Sequence, residues 1–159
     1  VAHVVQLNVS RGGLPKRSVA EVEVTASGLA GDGFNHPHIH GRPHQALLLI
    51  TSEGIDELTA QGFPLFYGAL GENITTGGLD RRGLRSGQRY RIGDVIVELT
   101  EVRGPCSSLN VYGPGIQQAI YEAGDQTSPR WGLSGFYAAV LQPGLIRPGD
   151  PIQLLEALA

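Results

Sequence analysis

Glycine and proline punctuate this chain more densely than any other feature of it. Of its 159 residues, 23 are Gly and 10 are Pro, about a fifth of the chain against a usual level of roughly an eighth. Gly weakens the interior of any regular element, and Pro lacks the N–H that a helix interior needs. Long helices are therefore excluded, and short strands joined by tight turns are favoured. The pieces are apolar enough to fold. Hydrophobic residues make up 41% and charged residues 17%, which excludes a disordered chain. No linker, low-complexity run or charge block divides the sequence, so the expectation is a single domain over 1–159. No run of 18 apolar residues is present, and no membrane association is expected.

Between the breakers, the segments carry readable periods. Val4, Val5, Leu7 and Val9 predict a strand closed by the turn cluster 10–13. The segment Val19–Thr25 alternates, with Val22 and Val24 on one side and Glu21, Glu23 and Thr25 on the other. The continuous run Ala46–Ile50 is short enough for a fully buried strand. Thr51 or Ser52 then offers a cap for a helix from Ser52 to about Gln61. Gln88–Val102 reads as a hairpin about Gly93-Asp94. A second short helix is predicted over Ile116–Ala123, between Pro114 and Gly124. Phe136–Leu141 and Ile152–Leu155 close the chain as strands. The fold class is mainly β, a barrel or sandwich with a few short helices at its rim.

Three places carry candidate chemistry. A net charge of −3 gives no field that favours phosphate backbones, so no nucleic-acid partner is expected. The single cysteine, Cys106, cannot form an internal disulfide, and no secretory leader is visible. A reduced, cytoplasmic setting is the expectation. Cys106 follows Gly104-Pro105, with Arg103 three residues upstream. A guanidinium beside it would favour the thiolate, a soft ligand able to hold a transition metal or carry sulfur. The competing reading is an inert buried cysteine. The second place is the cluster His36, His38, His40 and His44, with Asp32 as a further possible ligand for zinc or iron, set against a plain solvated loop. The third is Gly71–Gly78. Its side-chain amide, hydroxyls and accessible backbone suit a loop that cradles an anionic or heterocyclic ligand, or an ordinary turn.

Taken in order, these stretches resemble the MOSC domain, the family named after the C-terminal part of molybdenum cofactor sulfurase. The matching segments are Val9–Val19 with Pro15-Lys16, Gly28-Leu29-Ala30-Gly31-Asp32, His40-Gly41, Gly71-Glu72-Asn73-Ile74-Thr75, Gly78-Leu79-Asp80, Gly93-Asp94 and Arg103-Gly104-Pro105-Cys106. The resemblance spans nearly the whole chain and implies a stand-alone member with an irregular MOSC-type β-barrel. It also implies binding of the molybdenum cofactor (molybdopterin), through a cysteine that ligates the metal or carries sulfur. By match, that cysteine is Cys106, the candidate catalytic and metal-binding residue. On this reading Lys16, Arg17 and Arg103 are expected to meet the phosphate or pterin. Gly71, Glu72 and Asn73 are expected to hydrogen-bond the heterocycle, and His40 joins the same cofactor-binding set. Arg42 stands where the family often has a second glycine, and offers an anion contact of its own.

MOSC relatives that reduce N-hydroxylated compounds such as hydroxylaminopurines suggest the activity: a molybdenum-dependent oxidoreductase acting on a small molecule. Electrons would come from a separate redox partner, since the chain has no flavin motif and too few cysteines for an iron–sulfur cluster. The alternative is a sulfur or cofactor carrier, with Cys106 holding a persulfide from a cysteine desulfurase. A third reading is a metal-binding module built on His36, His38 and His40.

Overall fold

A computed structural model of the chain describes residues 1–10, 14–32 and 43–156. In chain order these form β1 (His3–Val9), β2 (Arg17–Val19), β3 (Val22–Thr25), β4 (Gly28–Leu29), β5 (Leu47–Thr51), α1 (Ser52–Ala60) and β6 (Ile74–Gly77). There follow β7 (Arg89–Ile92), β8 (Val95–Val102), α2 (Ile116–Ile120), β9 (Phe136–Gln142), β10 (Gly144–Ile146) and β11 (Ile152–Glu156). The protein is mainly β with few helices, as expected. One sheet has the order β11-β7-β8-β9-β5-β6-β1-β2, and a small one the order β10-β3-β4.

A closed barrel is not found among the described residues. β2 and β11 lie at opposite edges of the large sheet and do not pair. The closest approach to closure is a single bridge from His3 to Pro151, flanked by bonds from Val4 N–H to Asp150 O and from Ile152 N–H to Ala2 O. Pro151 has no N–H with which to extend that bridge into a ladder.

The centre of the sheet explains the least polar stretch of the sequence. β5 sends Leu47 and Leu49 into one hydrophobic cluster and Leu48 and Ile50 into the other. A strand covered on both faces needs no polar side, hence the unbroken apolar run. At its end, the Thr51 hydroxyl accepts the Gly54 N–H at 3.1 Å and caps α1. That bond satisfies one of the donors every helix leaves free at its start. α1 buries Ile55 and Leu58, and the chain returns as β6, parallel to β5. The glycines of 71–78 predict a loop throughout. Only its first part is a bend; Ile74–Gly77 is a strand with Thr75 and Thr76 fully buried. Its threonines masked it, because a strand buried on both faces shows no period-two alternation.

Other elements match or shift by a few residues. The hairpin stands as read, with Ile92 paired to Val95 across the Gly93-Asp94 turn and Val95, Val97 and Leu99 buried. The Val19–Thr25 strand divides in two: β2 edges the large sheet, while Val22 and Val24 serve the small one. The second helix stops at Ile120, short of Ala123. Ile116 and Ile120 alone complete its buried stripe, and Tyr121 turns extended. Among the described residues no helix is long and apolar enough to cross a membrane.

Candidate functional site

The site lies where β8 outruns its ladder. Val102 is the last residue of β8 paired with β9, opposite Phe136. Beyond it the Arg103 N–H donates to Gly135 O at 2.9 Å, and the Ser134 hydroxyl donates to the Arg103 carbonyl. These bonds seat the Arg103 backbone firmly. Gly104-Pro105 then carry the chain outward. Cys106 sits exposed at the head of a 3-10 turn, Ser107–Tyr112.

Arg103 is only 8% exposed. Its Nη1 donates to the carbonyl of Leu70. Among the described residues no carboxylate lies within ion-pair distance of it. Taking a guanidinium out of water is costly unless an opposite charge answers it, and one carbonyl does not. The arrangement is therefore suited to an incoming anion.

The sulfur beside it is prepared as a nucleophile or ligand. Partial burial pushes the Cys106 thiol up, but the Ser108 hydroxyl and backbone N–H, together with the Arg103 charge, outweigh it. The thiol ends below its ordinary value. The Cys106 Sγ to Ser108 Oγ distance is 3.0 Å.

A buried bend faces them. Glu72 is fully buried. Its Oε2 accepts the Gly68 N–H and the Thr75 hydroxyl, both at 3.0 Å, while Oε1 has no hydrogen-bond partner among the described residues. Burial pushes this carboxyl above its ordinary value, opposed by those hydrogen bonds and by the Arg103 charge. Tyr112 donates to the Ala69 carbonyl at 2.6 Å. Burial, then the Glu72 charge, raises its phenol. Tyr137, on β9, is also raised. Burial is the main cause; Arg103 opposes it, and Glu101 and Cys106 add to it. Both phenols thus keep their protons near neutral pH.

The other expected site residues fall into different places. Lys16 is buried in an ion pair, its Nζ 2.6 and 2.8 Å from the two Asp32 oxygens. Arg17 is exposed on the edge strand β2. Gly71 sits at φ +88°, where an added Cβ would meet the Leu14 side chain at 2.7 Å. The Asn73 amide is used inside the fold: Oδ1 accepts the Leu48 N–H at 2.9 Å, and Nδ2 donates to Asp32 at 2.7 Å. His40, with His36, His38 and Arg42, lies outside the described residues. Of that cluster His44 is described, half-exposed and 3.9 Å from Glu101. Among the described residues no group of three or more His, Cys, Asp or Glu side chains is placed to hold a metal ion.

The structure thus brings together Cys106, Arg103 and the backbone before Glu72. Sequence reasoning missed Ser108, Tyr112, Tyr137 and the two bend carbonyls. Ser108 had a usable signal, a hydroxyl two residues past the thiol. The tyrosines had none: Tyr112 ends the turn that Cys106 heads but belongs to no motif, and Tyr137 comes from β9.

A family model for the MOSC domain matches residues 36–153. Protein YiiM of Escherichia coli is 28% identical over 87% of this chain and 61% of its own length. A Gibberella moniliformis protein named Reductase is 34% identical over 56% of this chain and 15% of its own. The crystal structure of YiiM from Geobacillus stearothermophilus superposes with a TM-score of 0.77 at 29% identity, covering 98% of this chain and 76% of that one. The chain spans less than two thirds of the curated relatives it matches. With three quarters of its residues inside the family model and its fold shared along nearly its whole length, the chain belongs to the MOSC domain family.

Proposed function

We propose that this protein binds the molybdenum cofactor at Cys106 and Arg103 and reduces N-hydroxylated small molecules with electrons from a separate redox partner. One observation carries the reading: an exposed thiol held below its ordinary pKa beside a buried guanidinium that has no carboxylate partner among the described residues. That donor set fits the group, which offers a thiophilic metal and an anionic pterin phosphate. When bound, the cofactor supplies two-electron redox chemistry at its metal. Cys106 would ligate that metal through its thiolate, with Ser108 stabilising the negative sulfur. Arg103 would receive the anionic portion. Tyr112 and Tyr137 would stay protonated, with the Tyr112 proton committed to the Ala69 carbonyl, and the protons taken up as N–O cleavage releases water would come from solvent. The matched segment of the protein named Reductase adds support for a redox role.

The test is direct. Protein made in a host that supplies the cofactor should contain molybdenum and, with a chemical reductant, convert a hydroxylamine to its amine. Cys106→Ala should lose both. Metal-loaded protein inert toward hydroxylamines under several electron donors overturns the reductase reading. The same exposed thiol favours a second function, a persulfide carrier. A mass increase of one sulfur on Cys106 after incubation with a cysteine desulfurase would select it.

A further inference from the structure

Glu72 was expected to touch a ligand. Its geometry gives it another task. The carboxyl is fully buried, and its Oε2 gathers the Gly68 N–H and the Thr75 hydroxyl. Behind it, Asn8 Nδ2 on β1 donates to the Glu72 carbonyl and to the Thr75 hydroxyl, each at 3.1 Å. Gln6 Nε2 donates to Asn8 Oδ1 at 2.7 Å and to the Tyr67 carbonyl at 3.0 Å. Both ends of the bend 67–72 are therefore fixed by polar side chains, the half-buried Gln6 at one end and the buried Asn8 at the other. Gly68 is pressed so closely on the Lys16 carbonyl that a Cβ would meet that oxygen at 2.3 Å. Between these anchors the bend presents the Leu70 carbonyl to Arg103 and the Ala69 carbonyl to Tyr112.

We propose that Glu72 is a positioning residue: it clamps the Gly68–Gly71 bend so that the Leu70 carbonyl holds the Arg103 guanidinium beside Cys106. Leu70 O is the hydrogen-bond acceptor through which the fold fixes the guanidinium group, and a bend free to shift would release it. The inference rests on reading Arg103 as the group that receives an anion next to the thiol. It needs no bound metal.

Because Cys106 is the single cysteine of the chain, alkylation reports on one sulfur. Iodoacetate and iodoacetamide react with the same thiolate but differ in charge, so their rate ratio reads the local positive charge independently of how much thiolate is present. Arg103→Gln should lower that ratio by up to roughly fivefold, the most that one unit charge close to the sulfur exerts in a water-like medium. Glu72→Met, which removes the acceptor, should lower it in the same direction and to a similar extent. Glu72→Gln keeps an oxygen for both donors and should restore the native ratio. Melting temperatures of each variant separate loss of fold from loss of aim. A ratio unchanged in Glu72→Met but lowered in Arg103→Gln overturns the role of Glu72. If Arg103→Gln also leaves the ratio unchanged, the anion-site reading falls with it. Should Glu72→Met fail to fold, Thr75→Val replaces it; a fall in the ratio supports the clamp and no change overturns it. Protein that never takes up molybdenum yet shows these effects sinks the proposed function and leaves this inference standing.

Discussion

Lys16 and Arg103 are withdrawn from solvent to the same degree, each 8% exposed, yet the fold treats them in opposite ways. The Lys16 ammonium meets both oxygens of Asp32, whose side chain is 1% exposed. Asp32 also accepts from the Asn73 amide at 2.7 Å and from the Ser10 N–H at 2.9 Å. Charge is answered by charge, and the remaining lone pairs are filled. Arg103 has the Leu70 carbonyl and, among the described residues, no carboxylate within ion-pair distance. A buried cation neutralised inside the protein ties segments together, here 10, 16, 32 and 73. One with no carboxylate beside it among the described residues stays costly unless an anion meets it.

The largest expected effect is at Lys16. Lys16→Met leaves the Asp32 carboxylate buried without its counter-charge and should cost about 3–5 kcal/mol in urea unfolding. The alkylation preference of Cys106 in the folded protein should be untouched. A loss below about 1 kcal/mol would show that the other bonds to Asp32 suffice, and the contrast would lose one side.

Arg103→Met should cost less. It gives up one charged hydrogen bond but relieves an unpaired buried charge, so the net loss should stay under about 2 kcal/mol. The same change should remove anion selectivity at the thiol. If it destabilises as much as Lys16→Met, Arg103 has an internal partner and the two cations are alike.

Glu72 is the group that could be that partner, and pH decides it. Burial raises its carboxyl above the ordinary value, so the folded state holds the proton more tightly than the unfolded state. The stability this provides is fully present below the ordinary carboxylate range and is lost as pH rises through the raised folded value. Wild type should therefore lose stability relative to Glu72→Gln with rising pH, by up to about 1.4 kcal/mol per pH unit in that window. The opposite slope would make Glu72 the counter-ion of Arg103.

What was legible in the sequence follows from how local each cause is. The β7–β8 hairpin showed itself because alternation and a Gly-Asp turn lie within 15 residues. α1 did so because its cap and its apolar stripe are adjacent. β6 did not, since its burial depends on β1 and β5, far away in sequence. The same division runs through the site. Arg103 and Cys106 lie three residues apart and were read together. Lys16 could not be told from Arg103 as a basic residue, because what separates them is Asp32 in one case and a backbone carbonyl in the other. Residue type announces a charge; only the fold says whether it has been answered.

The smallest expected effect tests whether lacking a partner signals function by itself. The Thr76 hydroxyl is also buried with no hydrogen-bond partner among the described residues. It lines a small apolar cavity with Leu49, Leu79, Leu84, Leu99 and Phe136. No cation and no sulfur stand in that wall, so the unpaired hydroxyl there is a cost with nothing to receive. Thr76→Val keeps the branched shape and removes the polar atom. It should stabilise the protein by about 1 kcal/mol, seen as a higher urea midpoint at unchanged m-value, and leave both alkylation rates of Cys106 as they are. If the exchange instead destabilises the protein, the hydroxyl is already satisfied. Solitude alone would then distinguish Arg103, whereas a gain at Thr76 means that Arg103 owes its meaning to the thiol three residues away.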